Sequence, residues 1–250
     1  MTHILALHAH PDDTETLGAG TLALLASGGH KITIATMTAG DCGSVETSAE
    51  ETARIRKSEA TTAAALIGAD YRCIGVGDLA VFNDDATRRR TTELIRAVRP
   101  DIVLTSSPAD YHPDHEATST LVRDACFAAP IPNYQTGPSP VLAQIPHLYF
   151  MDPIEGRDRD GNKIAPGFAV DVTAHFETKR AMLQAHVSQR KWVAKQHDID
   201  DLTAAMEKWT AKRGGQFGVA YAEGFRQYTG TPYPRSHLLQ GLVGTALLRA

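Results

Sequence analysis

The side chains in this sequence best suited to chemistry fall in two quartets, His10-Pro11-Asp12-Asp13 and His112-Pro113-Asp114-His115. Neutral imidazole and carboxylate oxygen are ligands that borderline divalent metals accept, so each quartet reads as part of a metal site. The first runs on through Thr14 to Glu15 and follows directly on the apolar run Ile4-Leu5-Ala6-Leu7. Alone, it has a plainer reading, an acidic loop capping the positive end of the next helix. The second quartet tips the balance toward metal. A catalytic zinc site wants three protein ligands and an open position. His10 and Asp13 can turn to one ion across the loop that Pro11 stiffens, with His115 as the third ligand, although spacing does not order the adjacent Asp12 and Asp13. Asp12, His112 and Asp114 are then free for proton work. A bound divalent ion lowers the pKa of its water from about 15.7 toward ~7, and a neighbouring carboxylate takes the proton as that water attacks. An imidazole opposite stabilises the resulting oxyanion, more so if a carboxylate keeps it protonated.

Quartets about 100 residues apart must be brought together by the fold. Ile4–Leu7 is a short, buried-type strand, and Glu15–Ser27 carries apolar residues at helical spacing before Gly28-Gly29. Lys31–Met37 is β-branched and strand-like, and Thr38–Ser48 is a Gly/Ser-rich loop. Ser48 and Glu51 make a capping box for a helix to about Leu66, with Gly68 after it. Tyr71–Val76 is a weaker strand, Asp85–Val98 a helix stopped by Pro100, Asp101–Ser106 a fourth strand and Asp114–Ala128 the next helix. This alternation predicts an α/β fold, Rossmann-like, with a mainly parallel, doubly wound sheet flanked by helices. In the common order 3-2-1-4, strands 1 and 4 are neighbours and the crevice lies at their carboxyl ends. Each quartet follows one of those strands, so the two should face one another.

Beyond residue 130 the signals weaken. Ala129–Pro146 holds five of the 13 prolines and reads as a long surface loop. Ile145–Met151 and Phe168–Val172 read as strands; Thr173–Lys195, Asp198–Lys212, Tyr221–Gln227 and His237–Leu248 read as helices. With no internal repeat or composition shift, the expectation is one domain over 1–250: a Rossmann-like core to residue 130, and a loop, added strands and a mostly helical appendage over 131–250. The 250-residue length, 42% apolar and 22% charged content suit a globular protein with a sizeable core. A net charge of −4 leaves no basic footprint for nucleic acid or an anionic membrane. Cys42, Cys73 and Cys126 form no C-x-x-C pair, which argues against a disulfide scaffold or a cysteine zinc site and fits a reducing compartment. No apolar stretch approaches the ~20 residues that span a bilayer, and the N-terminal run, cut by His8 and His10, is a strand and not a signal peptide. A cytoplasmic protein with a small-molecule partner is expected.

Five features resemble one family. The HPDD quartet before a Gly-containing helix start, T-x-G-[DE]-x-G at Thr38–Gly43, R-x-x-E at Arg56–Glu59, HPDH at His112–His115 and K-x-x-x-L-x-x-H-x-S-Q at Lys179–Gln189 are similar to those of the PIG-L/LmbE-like zinc deacetylases. Ala222-Glu223-Gly224-Phe225 resembles a short motif near family C-termini. The resemblance covers residues 3–190 and implies zinc-dependent hydrolysis of an N-acetyl group from an N-acetylglucosamine-type sugar or conjugate, with a metal-bound water as nucleophile. It implies His10, Asp13 and His115 as zinc ligands and Asp12 as general base, although an N/O site can hold other divalent metals. It further implies His112 as the group stabilising the tetrahedral intermediate, Asp114 as its partner, and Arg56 near substrate, and it allows a homo-oligomer. Thr14 stands where many members carry Glu, with Glu15 one place later. Asp41 replaces the more usual Glu of the glycine loop, where it would contact substrate.

Each residue also has a plainer role open to it. Asp114 is also a helix N-terminal charge, Arg56 a paired or solvated helix residue, and His8 a core neighbour of His10. His186 and Gln189 suit packing as well as substrate contact. Gly18-Ala19-Gly20-Thr21-Leu22-Ala23 fits G-x-G-x-x-A with Asp41 about twenty residues on, which would suit a dinucleotide binder. Against that, its glycines come ten residues after the strand, and the acidic cluster would repel a pyrophosphate. They suit close helix–sheet packing better. A non-catalytic sugar-binding module with a structural metal is the other alternative, but such a site needs no spare base like Asp12.

Overall fold

The computed structural model describes residues 1–189 and 201–249. Eight strands of these residues form one mixed sheet in the order β3-β2-β1-β4-β5-β7-β6-β8. They are β1 (His3–His8), β2 (Lys31–Thr38), β3 (Asp70–Val76), β4 (Ile102–Thr105), β5 (His147–Met151), β6 (Phe168–Asp171), β7 (Ala222–Tyr228) and β8 (Leu247–Arg249). The first five run parallel, while β7 pairs antiparallel with both β5 and β6. The expected adjacency is present: Ile4 pairs with Ile102 and Leu7 with Thr105. The two quartets therefore emerge side by side.

Strands buried on both faces must be apolar throughout, and Ile4–Leu7 and Ile102–Leu104 are fully buried. One face of the sheet packs on α1 (Asp13–Leu17), α2 (Ala19–Ser27), α3 (Ala49–Ala65), α6 (Phe176–Gln184) and α8 (Leu238–Val243), and α7 (Leu202–Gly215) lies against α6 and β7. The other face packs on α4 (Asp85–Val98) and α5 (Pro113–Ala128). Local chemistry sets several boundaries as expected. Ser48 accepts the Glu51 N–H at the start of α3, and Asp84 caps α4 through the Thr87 N–H.

The first helix differs from its reading as one piece: it breaks at Gly18 into α1 and α2. A Cβ on Gly18 would stand 2.8 Å from Met151 Sδ, and one on Gly20 would stand 2.7 Å from Val172 Cβ. The glycines thus serve close packing of helix on sheet. The N-terminus of α2 is also occupied from within, because Glu223 accepts the Gly20 and Thr21 N–H groups at 2.9 and 2.8 Å. A pyrophosphate would need those donors, so the dinucleotide-binding reading has no place to put its phosphates.

Beyond residue 130, three expectations fail. Tyr221–Gln227 is not a helix: β7 occupies Ala222–Tyr228, where pairing on both edges and burial of Phe225 override local preference. His237–Leu248 is helical only to Val243, followed by a 3-10 turn and β8. The Thr173–Lys195 reading holds as a helix only to Gln184, with residues 185–188 outside it, while residues 190–195 and the start of Asp198–Lys212 lie outside the described residues. No helix among the described residues is long and apolar enough to cross a membrane.

Candidate active site

At the carboxyl ends of β1 and β4 the imidazoles converge on one carboxylate oxygen. Asp13 Oδ2 lies 3.2 Å from His10 Nδ1, 3.2 Å from His115 Nε2 and 2.7 Å from His8 Nδ1. Ligands at about 2.0–2.1 Å from a tetrahedral ion stand about 3.3 Å apart, so the first two spacings match edges of such a site. The His8 contact is hydrogen-bond length and makes His8 a partner of Asp13 instead of a co-ligand. Two overlapping groups here have ligand atoms within 4.8 Å of one another, His10/His112/His115 and His8/Asp13/His115. The expected trio His10, Asp13 and His115 draws on both, and the donor set fits a divalent transition metal.

Each histidine of the trio has a carboxylate on its other nitrogen. His10 Nε2 is 3.2 Å from Asp114 Oδ2, and His115 Nδ1 is 3.0 Å from Asp110 Oδ1. Such carboxylates fix the tautomer and orientation of a metal-binding imidazole. Asp114 also accepts the Leu79 N–H at 2.7 Å. Its carboxylate therefore serves His10, contrary to the expected pairing with His112. His112 caps α5, where its Nδ1 accepts the Asp114 N–H at 3.2 Å. A neutral His112 with that acceptor carries its proton on Nε2.

Electrostatics separate these groups. Burial alone would lower His10 and His115, but Asp13 together with Asp114 or Asp110 lifts them to about 9 and about 10. Burial would likewise raise Asp13, yet the His115, His8 and His10 charges hold it well below the usual carboxylate range. Half-burial and the charges of His10 and His115 push His112 down to about 4. The expectation that a carboxylate keeps His112 protonated is replaced by a neutral imidazole.

Asp12 stands beside the trio and outside it. It begins α1 with a left-handed backbone, φ 90°, and its Oδ2 is 3.4 Å from Arg56 Nη2. Burial raises it to about 6, aided by the Asp13 and Glu15 charges and opposed by Arg56 and His186. Arg56 is 4% exposed and donates to the carbonyls of Pro11 and Gly40. Asp41 is half-buried and accepts the Asp78 N–H at 2.8 Å. Asp41, Cys42 and Asp78 form a further cluster of potential ligands.

Two late motifs prove to be ties. Lys179, fully buried, donates to Glu223 at 2.6 Å and to the Thr16 carbonyl at 2.7 Å. His186 Nε2 lies 3.5 Å from Glu15 Oε1, and Ser188 donates to Glu59. The sequence reading did not single out Asp110 or Tyr111. Asp110 precedes the second quartet by two residues, and nothing in its spacing marks it as the partner of His115. Tyr111 sets its ring edge-on to His112 and His115, with centroids 5.7 and 5.5 Å away.

This geometry meets the comparisons at residues 5–126, which match the family described as PIG-L: GlcNAc-PI de-N-acetylase. Residues 5–126 thus resemble the PIG-L family. A 4-oxalmesaconate hydratase of Pseudomonas putida is 26% identical over 193 residues, covering 74% of this chain and 73% of its own. A 1D-myo-inositol 2-acetamido-2-deoxy-alpha-D-glucopyranoside deacetylase of Nakamurella multipartita is 29% identical over 232 residues, covering 74% and 79%. The structure of an N,N'-diacetylchitobiose deacetylase from Pyrococcus horikoshii superposes with a TM-score of 0.75 at 23% identity, covering 95% of this chain and 88% of the other. That likeness shows the shared α/β fold.

Proposed function

We propose that this protein is a PIG-L-type, metal-dependent amidohydrolase that removes an acetyl group from an N-acetylglucosamine-type sugar or conjugate. The carrying observation is Asp12, a carboxylate raised to about 6 that stands beside the His10, Asp13 and His115 convergence without belonging to it. A purely structural metal site has no use for such a group. The named activities of the deacetylase relatives supply the substrate class.

His10, Asp13 and His115 would hold the ion, with zinc the favoured occupant, and Asp110 and Asp114 would orient the two imidazoles. When bound, the ion acidifies water and polarises the amide carbonyl. Asp12 accepts the proton of the attacking water and passes it to the leaving amine, since a base near the working pH both takes and returns a proton. His112 offers its Nε2–H to the developing oxyanion as a neutral donor. Asp41, engaged with the Asp78 N–H, would meet substrate only at the rim.

A second reading comes from the hydratase relative, in which the same base would assist addition of water across a carbon–carbon double bond. One panel separates them: N-acetylated amino sugars and their conjugates beside unsaturated polycarboxylates, each with and without chelator. Chelator-sensitive release of free amine supports the hydrolase. Consumption of the unsaturated acid with no amine release overturns it.

A further inference from the structure

Asp12 adopts φ 90°, a region that a residue bearing a Cβ occupies only when its surroundings hold it there. Inside the turn, the Asp12 carbonyl accepts Thr16 N–H and Thr16 Oγ1–H, both at 2.9 Å. From outside, the strut is Arg56, whose Nη2 donates to the Pro11 carbonyl at 2.6 Å and lies 3.4 Å from Asp12 Oδ2. Its Nη1 donates to the Gly40 carbonyl at 3.1 Å. Gly40, at φ 73°, leaves the guanidinium its space, because a Cβ there would collide with it.

The segment that follows α6 grips both supports of this strut. Ser188 donates its N–H and Oγ–H to the two oxygens of Glu59, at 2.8 and 2.6 Å, one turn along α3 from Arg56. Gln189 donates to the Gly43 carbonyl at 3.3 Å, in the loop packed against the guanidinium. So the late H-x-S-Q motif, the R-x-x-E motif and the glycine loop close on the first quartet as one assembly.

We propose that Arg56 is a positioning residue that sets the Asp12 turn from behind, kept in place by Ser188 and Gln189. This adds a role to the place near substrate that the resemblance implied for Arg56, and it rests on the hydrolytic reading of the site. A compact ammonium lacks the forked geometry with which the guanidinium reaches the two carbonyls from two separate nitrogens. Displacing a catalytic group by about 1 Å can cost about 10²-fold in rate.

The test pairs Arg56→Lys with Gln189→Ala. Arg56→Lys is expected to lower kcat for amide hydrolysis about 10²-fold, with KM within about threefold and metal content by elemental analysis unchanged. Gln189→Ala is expected to lower kcat about threefold to tenfold at constant KM. A raised KM with kcat retained in Arg56→Lys would mark a substrate contact and overturn the proposal. If Arg56→Lys does not fold, Gln189→Ala decides, and unchanged kcat there overturns it. Amide hydrogen exchange over residues 9–17 at equal metal occupancy gives a readout independent of turnover. Faster exchange in the variants supports the strut, and unchanged exchange overturns it. A wild-type protein that releases no amine would sink the hydrolytic reading instead, while the exchange result still decides the positioning.

Discussion

The two quartets share their first three letters, His-Pro-Asp, and the fold gives those letters opposite duties. In the first, the aspartate sits on a left-handed turn that Arg56 reaches from α3 to hold. In the second, the histidine caps a 16-residue helix and Pro113 opens it, so local helix chemistry fixes the aspartate. Asp12 is raised to about 6 by burial, whereas Asp114, though burial would raise it, is lowered by its bonds to His10 and the Leu79 N–H. One carboxylate is left able to accept a proton, and the other is committed to steering a ligand. Surroundings, more than residue type, suit one to the proposed base and the other to orienting His10.

On the proposed reading the quartets share one ion, so the largest effect should come from removing the ligand of the second. His115→Ala is expected to lose the metal and bring turnover to background, read by elemental analysis and amine release. A variant that keeps one metal per chain would remove His115 from the ligand set. Next in size, Asp114→Asn should reduce metal affinity about 10–100-fold and slow turnover only as far as occupancy falls. If saturating metal does not restore most of its rate, Asp114 takes part in the chemistry and the contrast with Asp12 collapses.

The first quartet leans on distant struts, the second on its own helix. Lys179→Met leaves Glu223 buried without its cation and should cost about 3–5 kcal/mol of stability, measured by denaturant unfolding. A loss under about 1 kcal/mol would mean the tie is idle.

Protonation gives the smallest and most graded effects. His10 and His115 stand at about 9 and about 10 without metal, so they are protonated at pH 7 and must release those protons to bind it. Loading at pH 7 should release about two protons, and affinity should climb as pH rises toward about 9. Calorimetry in buffers of different ionisation enthalpy measures both. Asp12 must be ionised to act, so kcat/KM should fall about tenfold per pH unit below about 6, or lower where the ion's charge pulls its midpoint down. An acid limb centred above pH 7 would contradict the assignment.

Much of this was legible in the sequence, for physical reasons. Apolar strands, capped helices and the order of parallel strands are local or topological signals, and together they predicted that β1 and β4 would set the quartets side by side. The dependence of His115 on Asp110 was not legible, because it follows from loop geometry that no spacing rule encodes. The same holds for Asp114, whose carboxylate reaches across to His10 and not to its neighbour His112. The strand β7 was misread as helix because its place is set by β5 and β6 on either edge and by Phe225 in the core. The glycine pattern at Gly18–Ala23 was ambiguous until Glu223, 200 residues away, was found on the helix N-terminus it opens.

The account turns on Asp12 standing outside the metal site and serving as its base. Asp12→Asn tests that directly, with metal content and amine release measured on the same preparation. The expected result is full metal occupancy with turnover reduced about 10³-fold or more. An active variant, or one that has lost its metal, would contradict it.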